Sequence, residues 1–135
     1  ALTRAGRLDD AYKVLLKTNP FPSICGRVCD HQCESKCRRS TLDEPVSIKN
    51  LKRFITDHGT RPTVKRPDKT RKEKIAVVGG GPSGLTAARD LALRGYPVTI
   101  FDEFPEPGGM LRWGIPEYRL PRDILRREIE DSLSV

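Results

Sequence analysis

Residues 75 to 102 constrain the fold more than any other part of this 135-residue chain. Ile75-Ala76-Val77-Val78 is an unbroken apolar run that reads as a buried strand. Gly79-Gly80-Gly81-Pro82-Ser83-Gly84 follows at once, then a helical pattern to about Arg94 and a second strand from Pro97 to Phe101. Strand, glycine turn, helix and strand within about 30 residues is the opening of a parallel βαβ unit.

Gly79, Gly81 and Gly84 have the G-x-G-x-x-G spacing, and the strand before and helix after give that spacing its meaning. Gly79 permits a tight turn, Gly81 lets the backbone approach a pyrophosphate, and Gly84 allows the helix to pack close on the strand. An anion would sit at the helix N-terminus beside Pro82 and Ser83, where unpaired N–H groups and the dipole favour it. Asp102, 23 residues after Gly79, ends the second strand and is placed to accept hydrogen bonds from an adenosine ribose. The bland readings are a helix-packing turn without ligand and a solvated Asp102, with Glu103 taking its place. Downstream, Gly108-Gly109-Met110-Leu111-Arg112-Trp113-Gly114-Ile115-Pro116 reads as a loop, either an ordinary turn or a backbone lying against a flat ligand.

All four cysteines fall between residues 25 and 37, spaced Cys25-x3-Cys29-x3-Cys33-x3-Cys37. On one continuous helix the outer sulfurs would stand about 18 Å apart along the axis. Two ligands of one zinc ion lie within roughly 4 to 5 Å of each other. The segment is therefore either a folded loop or a ligand source for more than one centre. Thiolates suit zinc and iron-sulfur clusters alike, although zinc modules usually pair tight C-x2-C knuckles across a spacer that is absent here. Four buried or free thiols are the structural alternative. His31 is a possible ligand but reads more simply as a residue outside the ligand set, and His58 beside Gly59 as a helix C-terminal residue.

The remaining pattern is helical. Leu2, Ala5, Leu8, Tyr12, Leu15 and Leu16 mark one amphipathic helix ended by Asn19-Pro20-Phe21-Pro22. A second starts near Pro45, with Ile48, Leu51, Phe54 and Ile55 on one face and Gly59 past its end. A last helix follows Pro121, with Ile124, Leu125, Ile129 and Leu133 apolar. The net charge of +7 is local: Arg61, Lys65, Arg66, Lys69, Arg71, Lys72 and Lys74 against Asp68 and Glu73 give +5 of it. That stretch is poor in apolar residues and reads as a solvated connector, with docking to an acidic partner as the functional alternative. Nucleic-acid binding is not expected, since no aromatic residues are interleaved with the charge. No apolar run approaches the roughly 20 residues of a membrane span, and no signal segment opens the sequence, which points to a cytoplasmic chain. The chain is thus α+β: a helical, four-cysteine domain over 1–58, a basic linker over 59–74, and the first βαβ part of a Rossmann-like domain over 75–135. No acid-base or nucleophilic set is present, so no catalytic residue is assigned.

Three segments occur in order: Asn19-Pro20-Phe21-Pro22 leading into Cys25-Gly26-Arg27-Val28-Cys29, Val77-Val78-Gly79-Gly80-Gly81-Pro82-Ser83-Gly84-Leu85, and Gly108-Gly109-Met110-Leu111-Arg112-Trp113-Gly114-Ile115-Pro116-Glu117-Tyr118-Arg119-Leu120-Pro121. Together they resemble the FAD and iron-sulfur oxidoreductases that include the glutamate synthase small (beta) subunit and the N-terminal half of dihydropyrimidine dehydrogenase. The resemblance implies a helical domain with two [4Fe-4S] clusters, an FAD domain, and an NAD(P)H domain further along the polypeptide. Electrons would pass from NAD(P)H to FAD and on through the clusters to a larger catalytic or electron-accepting subunit.

By the same resemblance Cys29 and Cys33 are ligands of one cluster and Cys37 of the other; Cys25, outside that correspondence, is the candidate for the place a glutamine takes in the family. Gly79, Gly81, Pro82, Ser83, Gly84 and Asp102 face FAD, as do Gly109, Met110, Leu111 and Arg112 on the flavin side. The sequence also departs from the family pattern. Further ligands normally come from an upstream cysteine segment, Lys52 stands where a glutamine can complete a cluster, and Asp30 stands where proline is usual. The 135 residues are expected to be a partial chain that binds FAD poorly and does not turn over alone. The alternatives are a zinc-stabilised binding module fused to a nucleotide-binding unit, and a simple NAD-binding dehydrogenase fragment.

Overall fold

The computed structural model describes residues 1–65, 67–68 and 70–135, so the expected roles of Arg66 and Lys69 in the basic connector lie outside the described residues. Two compact units are present, Ala1–Pro62 and Thr63–Val135.

The first unit is all helical. Helix α1 (Leu8–Leu16) begins six residues later than the apolar spacing predicts, because Gly6 takes φ +71° and Arg7 is not helical. Residues 2–6 form a turn instead. Leu2 still packs, with Leu8 and Leu15, against a cluster of Ala11, Tyr12, Leu16 and Ile55. Of the periodic residues Tyr12 and Leu16 are buried and Leu2, Leu8 and Leu15 partly so, whereas Ala5 is exposed and the helix starts later than expected. After α1, the Asn19 side chain accepts the Phe21 N–H at 3.0 Å, an Asx turn that leads into Pro22 at the first position of α2 (Pro22–Val28). The proline pair therefore starts a helix as well as ending one. A one-turn helix α3 (Gln32–Ser35) and a 3₁₀ turn (Arg38–Thr41) follow.

Helix α4 (Ile48–His58) starts three residues after Pro45 and is followed by Gly59. Only Ile55 of its expected apolar face is buried; Leu51 and Phe54 are exposed, and the Phe54 ring packs on His58 at 4.6 Å between centroids. Helices α2 and α4 meet closely at Gly26, where an added Cβ would lie 2.9 Å from the Arg53 Cα. The Arg27 guanidinium meets Asp57 at 2.6 Å beside this contact. Arg61, expected in a solvated connector, instead folds back: it donates to the Pro20 carbonyl at 3.2 Å and its guanidinium lies 5.8 Å from the Tyr12 ring centre.

In the second unit β1 (Ile75–Val78) and β2 (Val98–Phe101) are parallel, with Ile75 opposite Val98 and Val78 opposite Phe101. Their crossover is α5 (Pro82–Leu93), which Pro82 opens at its first position. It closes in a Schellman motif: Gly95 has φ +86°, its N–H reaches the Ala92 carbonyl and the Tyr96 N–H that of Leu91. Arg71 docks on this corner, its N–H on the Gly95 carbonyl at 3.1 Å and its guanidinium 5.6 Å from the Tyr96 ring centre. Two residues of the basic stretch, Arg61 and the exposed Arg71, thus lie over aromatic rings.

The strands are not buried as a continuous run. Alternate residues are covered, while Val78 and Phe101 on the other face are exposed. The core lies on the α5 side, where Leu85, Leu120, Leu125 and Ile129 are buried. Each such side chain contributes about 2 kcal/mol through removal from water. A short helix α6 (Met110–Trp113) replaces part of the expected loop. Helix α7 (Arg122–Leu133) buries Leu125, Glu128, Ile129 and Ser132, whereas Leu133, expected on the inner face, is exposed.

Candidate nucleotide crevice and thiol cluster

The glycine turn joins the carboxyl end of β1 to α5. Gly79 has φ +101°, a conformation side-chain-bearing residues disfavour, and its N–H extends the ladder to the Phe101 carbonyl at 2.7 Å. A Cβ at Gly84 would sit 1.9 Å from the Gly79 carbonyl oxygen, so α5 reaches the strand only because that position has no side chain. Gly81 is different: its backbone is extended, and an added Cβ would meet nothing nearer than the Gly109 Cα at 3.9 Å.

Asp102 closes the turn from β2. One carboxylate oxygen accepts the Gly80 N–H, and the other accepts the Phe104 N–H at 2.8 Å. The backbone N–H groups of Phe104 and then Gly80 hold its carboxyl below the usual Asp range. Because the folded pKa is depressed, the link is complete above the ordinary Asp range and is lost as pH falls through the lower folded value. Asp102, rather than Glu103, therefore ties the second strand to the turn, and Glu103 stands beside it on the crevice wall.

Gly80 and Gly108 carry contacts that motif reading missed. Gly80 supplies the N–H to Asp102, and its carbonyl accepts the Gly108 N–H at 2.8 Å. The run of three glycines was the available signal, since G-x-G-x-x-G needs no glycine at the second place. This bond lays Gly109, at φ +50°, directly on Gly81. A cavity of ≈ 450 Å³ opens at the carboxyl ends of the strands, lined by Val78, Gly79, Phe101, Asp102, Glu103, Phe104 and Gly109. Open α/β sheets take their ligands at this place.

Of the sequence-derived candidates, Gly79, Asp102 and Gly109 line that cavity, and Gly81 abuts Gly109. Pro82 and Ser83 form the exposed first turn of α5. Met110 is exposed and Leu111 half-buried. Arg112 is engaged within its own loop, donating to the Pro107 carbonyl at 2.9 Å and pairing with Glu106. Arg122, not singled out from sequence, holds that loop against α7 by donating to the carbonyls of Leu111 at 3.2 Å and Ile115 at 3.0 Å.

The four cysteines are free thiols and the local fold distributes them. Cys25 is in α2 and Cys29 at its C-terminal cap, Cys33 is in α3, and Cys37 precedes the 3₁₀ turn. Of the two expectations, a folded loop or ligands for more than one centre, the loop is met only in part, since more than half of residues 25–37 is helix. Cys33 is exposed and the others are partly covered. The Cys25 thiol faces the Asn19 side-chain oxygen at 3.8 Å, and Cys29 Sγ accepts the His31 N–H at 3.3 Å. Backbone N–H groups of Val46 and then Arg39 hold the Cys37 thiol below its ordinary pKa, which favours the thiolate that metals bind. In kind, these donors fit iron-sulfur ligation. They do not close a cage by themselves: among the described residues no three His, Cys, Asp or Glu side chains gather at one point.

Comparison with known proteins matches each unit separately. Residues 1–64 match the family model of dihydropyrimidine dehydrogenase domain II, 4Fe-4S cluster, and residues 77–121 match the NAD(P)-binding Rossmann-like domain. The chain is 45% identical over 130 residues to the NADPH-Fe(3+) oxidoreductase subunit beta of Geobacter sulfurreducens, covering 92% of this chain and 19% of that protein. It is 41% identical over 134 residues to the glutamate synthase [NADPH] small chain of Bacillus subtilis, covering 96% of this chain and 27% of that one. Over nearly its whole length the chain is similar to these oxidoreductase subunits. The NADP(+)-dependent formate dehydrogenase subunit beta of Moorella thermoacetica is similar too, at 43% identity over 149 residues, with 93% of this chain and 21% of the relative covered. The motif-based recognition from the cysteine and glycine segments is therefore correct. The chain spans about a fifth to a quarter of the length of these relatives. Among the described residues no helix is long and apolar enough to cross a membrane.

Proposed function

We propose that these 135 residues are the electron-relay portion of a larger, cytoplasmic NAD(P)H-dependent flavin and iron-sulfur oxidoreductase, with residues 1–58 carrying cluster ligands, 59–74 linking, and 75–135 opening an FAD-binding domain. The observation that supports it best is the pairing, in one chain, of a unit matching a 4Fe-4S domain family with a strand-end crevice closed by Asp102. Nicotinamide cofactors transfer hydride, clusters carry single electrons, and a bound flavin joins the two regimes. The protein residues bind and orient. Gly79 and Gly81 leave backbone open to a pyrophosphate, Asp102 faces a ribose, and the Gly109–Arg112 loop borders the flavin side. Cys25, Cys29, Cys33 and Cys37 supply thiolates, shared between centres whose remaining ligands lie outside these residues. Electrons leave to a larger catalytic or electron-accepting subunit. A self-contained four-cysteine zinc site is disfavoured by the scatter of the thiols.

The test uses the full-length protein, purified anaerobically. Iron, acid-labile sulfide and FAD are expected together, and Cys29→Ser should lose iron while keeping FAD. Asp102→Ala should do the reverse, weakening FAD about 10- to 100-fold, as for loss of a charged hydrogen-bond acceptor. Zinc without sulfide, or FAD unaffected by Asp102→Ala, would overturn the assignment.

A further inference from the structure

The turn between Cys29 and Cys33 is held in an unfavourable conformation. His31 has φ 50° and ψ 34°, and it is the only non-glycine residue with positive φ among the described residues. Left-handed backbone is costly for a residue with a side chain. What it achieves here is direction: the His31 N–H points at Cys29 Sγ, 3.3 Å away.

Glu34 holds this arrangement from the other side. Its backbone N–H donates to the His31 carbonyl at 2.8 Å, and its Oε2 lies 3.7 Å from the His31 Nδ1. Its second oxygen, Oε1, accepts the Lys49 N–H at 2.8 Å in the first turn of α4, where Ser47 makes no side-chain cap. With 17% of its side chain exposed, Glu34 is fixed at both ends. A line of contacts thus runs from the start of α4 through Glu34 and His31 to one sulfur.

Hydrogen bonds to cluster sulfurs are among the levers that set reduction potential. Reduction adds negative charge, so an N–H aimed at the thiolate stabilises the reduced form more than the oxidised one. We propose that His31 and Glu34 are a positioning pair that keeps a backbone N–H on the Cys29 sulfur and thereby raises the reduction potential of the iron-sulfur centre that Cys29 ligates. This rests on the reading of Cys29 as a ligand.

The experiment measures iron, sulfide and midpoint potentials by redox titration followed by electron paramagnetic resonance, on full-length protein. His31→Gly keeps the N–H and accepts the left-handed backbone, so potentials should match wild type although the imidazole is gone. His31→Val resists that backbone, and one centre alone should become harder to reduce, its reduced fraction at the wild-type midpoint falling several-fold. Glu34→Ala should move the same centre the same way, and Glu34→Gln, which keeps an oxygen for Lys49, should move it less. Unchanged potentials in iron-replete His31→Val and Glu34→Ala would overturn the proposal, as would a His31→Gly shift equal to that of His31→Val. If His31→Val loses iron, His31→Ala is read in the same titration. Loss of iron in both, with retention in His31→Gly, would assign the turn to assembly and overturn the claim on potential. A wild-type protein without iron and sulfide would instead sink the ligand reading, and this proposal with it.

Discussion

Gly84→Ala should destabilise the Rossmann-like unit by about 3 kcal/mol, toward the upper end of what overpacking costs, whereas Gly81→Ala should change stability by less than about 1 kcal/mol. The geometry separates the two glycines. At Gly84 a methyl group would lie 1.9 Å from the Gly79 carbonyl oxygen and 3.3 Å from Val77 Cγ1. The first of these is a backbone atom of the turn itself, so no side-chain rotation relieves the clash. At Gly81 the nearest neighbour is 3.9 Å away, an ordinary contact. If the pyrophosphate rests on Gly81, the same methyl group should still weaken FAD about tenfold or more, roughly 1.4 kcal/mol per decade. Urea unfolding with parallel FAD titration on the full-length protein checks both halves. A stable Gly84→Ala protein, or a Gly81→Ala protein with unaltered FAD affinity, would show that motif spacing has misassigned the two roles.

Gly26→Ala is the counterpart in the cysteine unit. Helices α2 and α4 touch there through backbone, with the added carbon 2.9 Å from Arg53 Cα and 3.0 Å from Arg53 N. Contacts this short force the helices apart. The cost of about 1–3 kcal/mol from overpacking exceeds the gain of about 1 kcal/mol in helix propensity at most of that range. Cys25 and Cys29 ride on α2, so displacement should also reduce iron content after reconstitution. Asp57→Asn tests the same interface more gently. It weakens the partly buried Arg27 pair without adding volume, and should cost about 1 kcal/mol with iron retained. Full iron loading and wild-type stability in Gly26→Ala would mean that the close approach is not what places these thiols.

Much of the architecture was legible because local rules set it. The βαβ unit followed from an apolar run, a glycine turn and a helix, each fixed by short-range sterics, and its boundaries agree within a residue or two. Errors arose where a residue's environment depends on distant partners. Leu51 and Phe54 have helical spacing with Ile55, yet only Ile55 meets α1. On α7 the buried stripe runs through Glu128 and Ser132 instead of Leu133. The same limit applied at the site: Gly79 and Asp102 were identifiable from spacing, but the Gly108 bond to Gly80 joins segments 28 residues apart. The Arg122 staple on the loop was equally invisible.

By itself the sequence determined the order of a thiol-rich helical unit and a nucleotide-type turn, and the oxidoreductase subunits that the two together resemble. Those properties reside in residue type and short spacing. Only the tertiary structure decided that Asp102 locks onto Gly80, that Gly109 lies on Gly81, and that His31 aims its N–H at Cys29. It also decided that the four cysteines, though evenly spaced along the chain, occupy two helices and the breaks after them, with no three ligating side chains gathered at one point among the described residues. The physical reason is that even spacing in sequence fixes the path length between thiols. Backbone breaks at Cys29, His31 and Cys37 fix the direction of that path, and they depend on contacts such as Glu34 with α4 that no local pattern encodes.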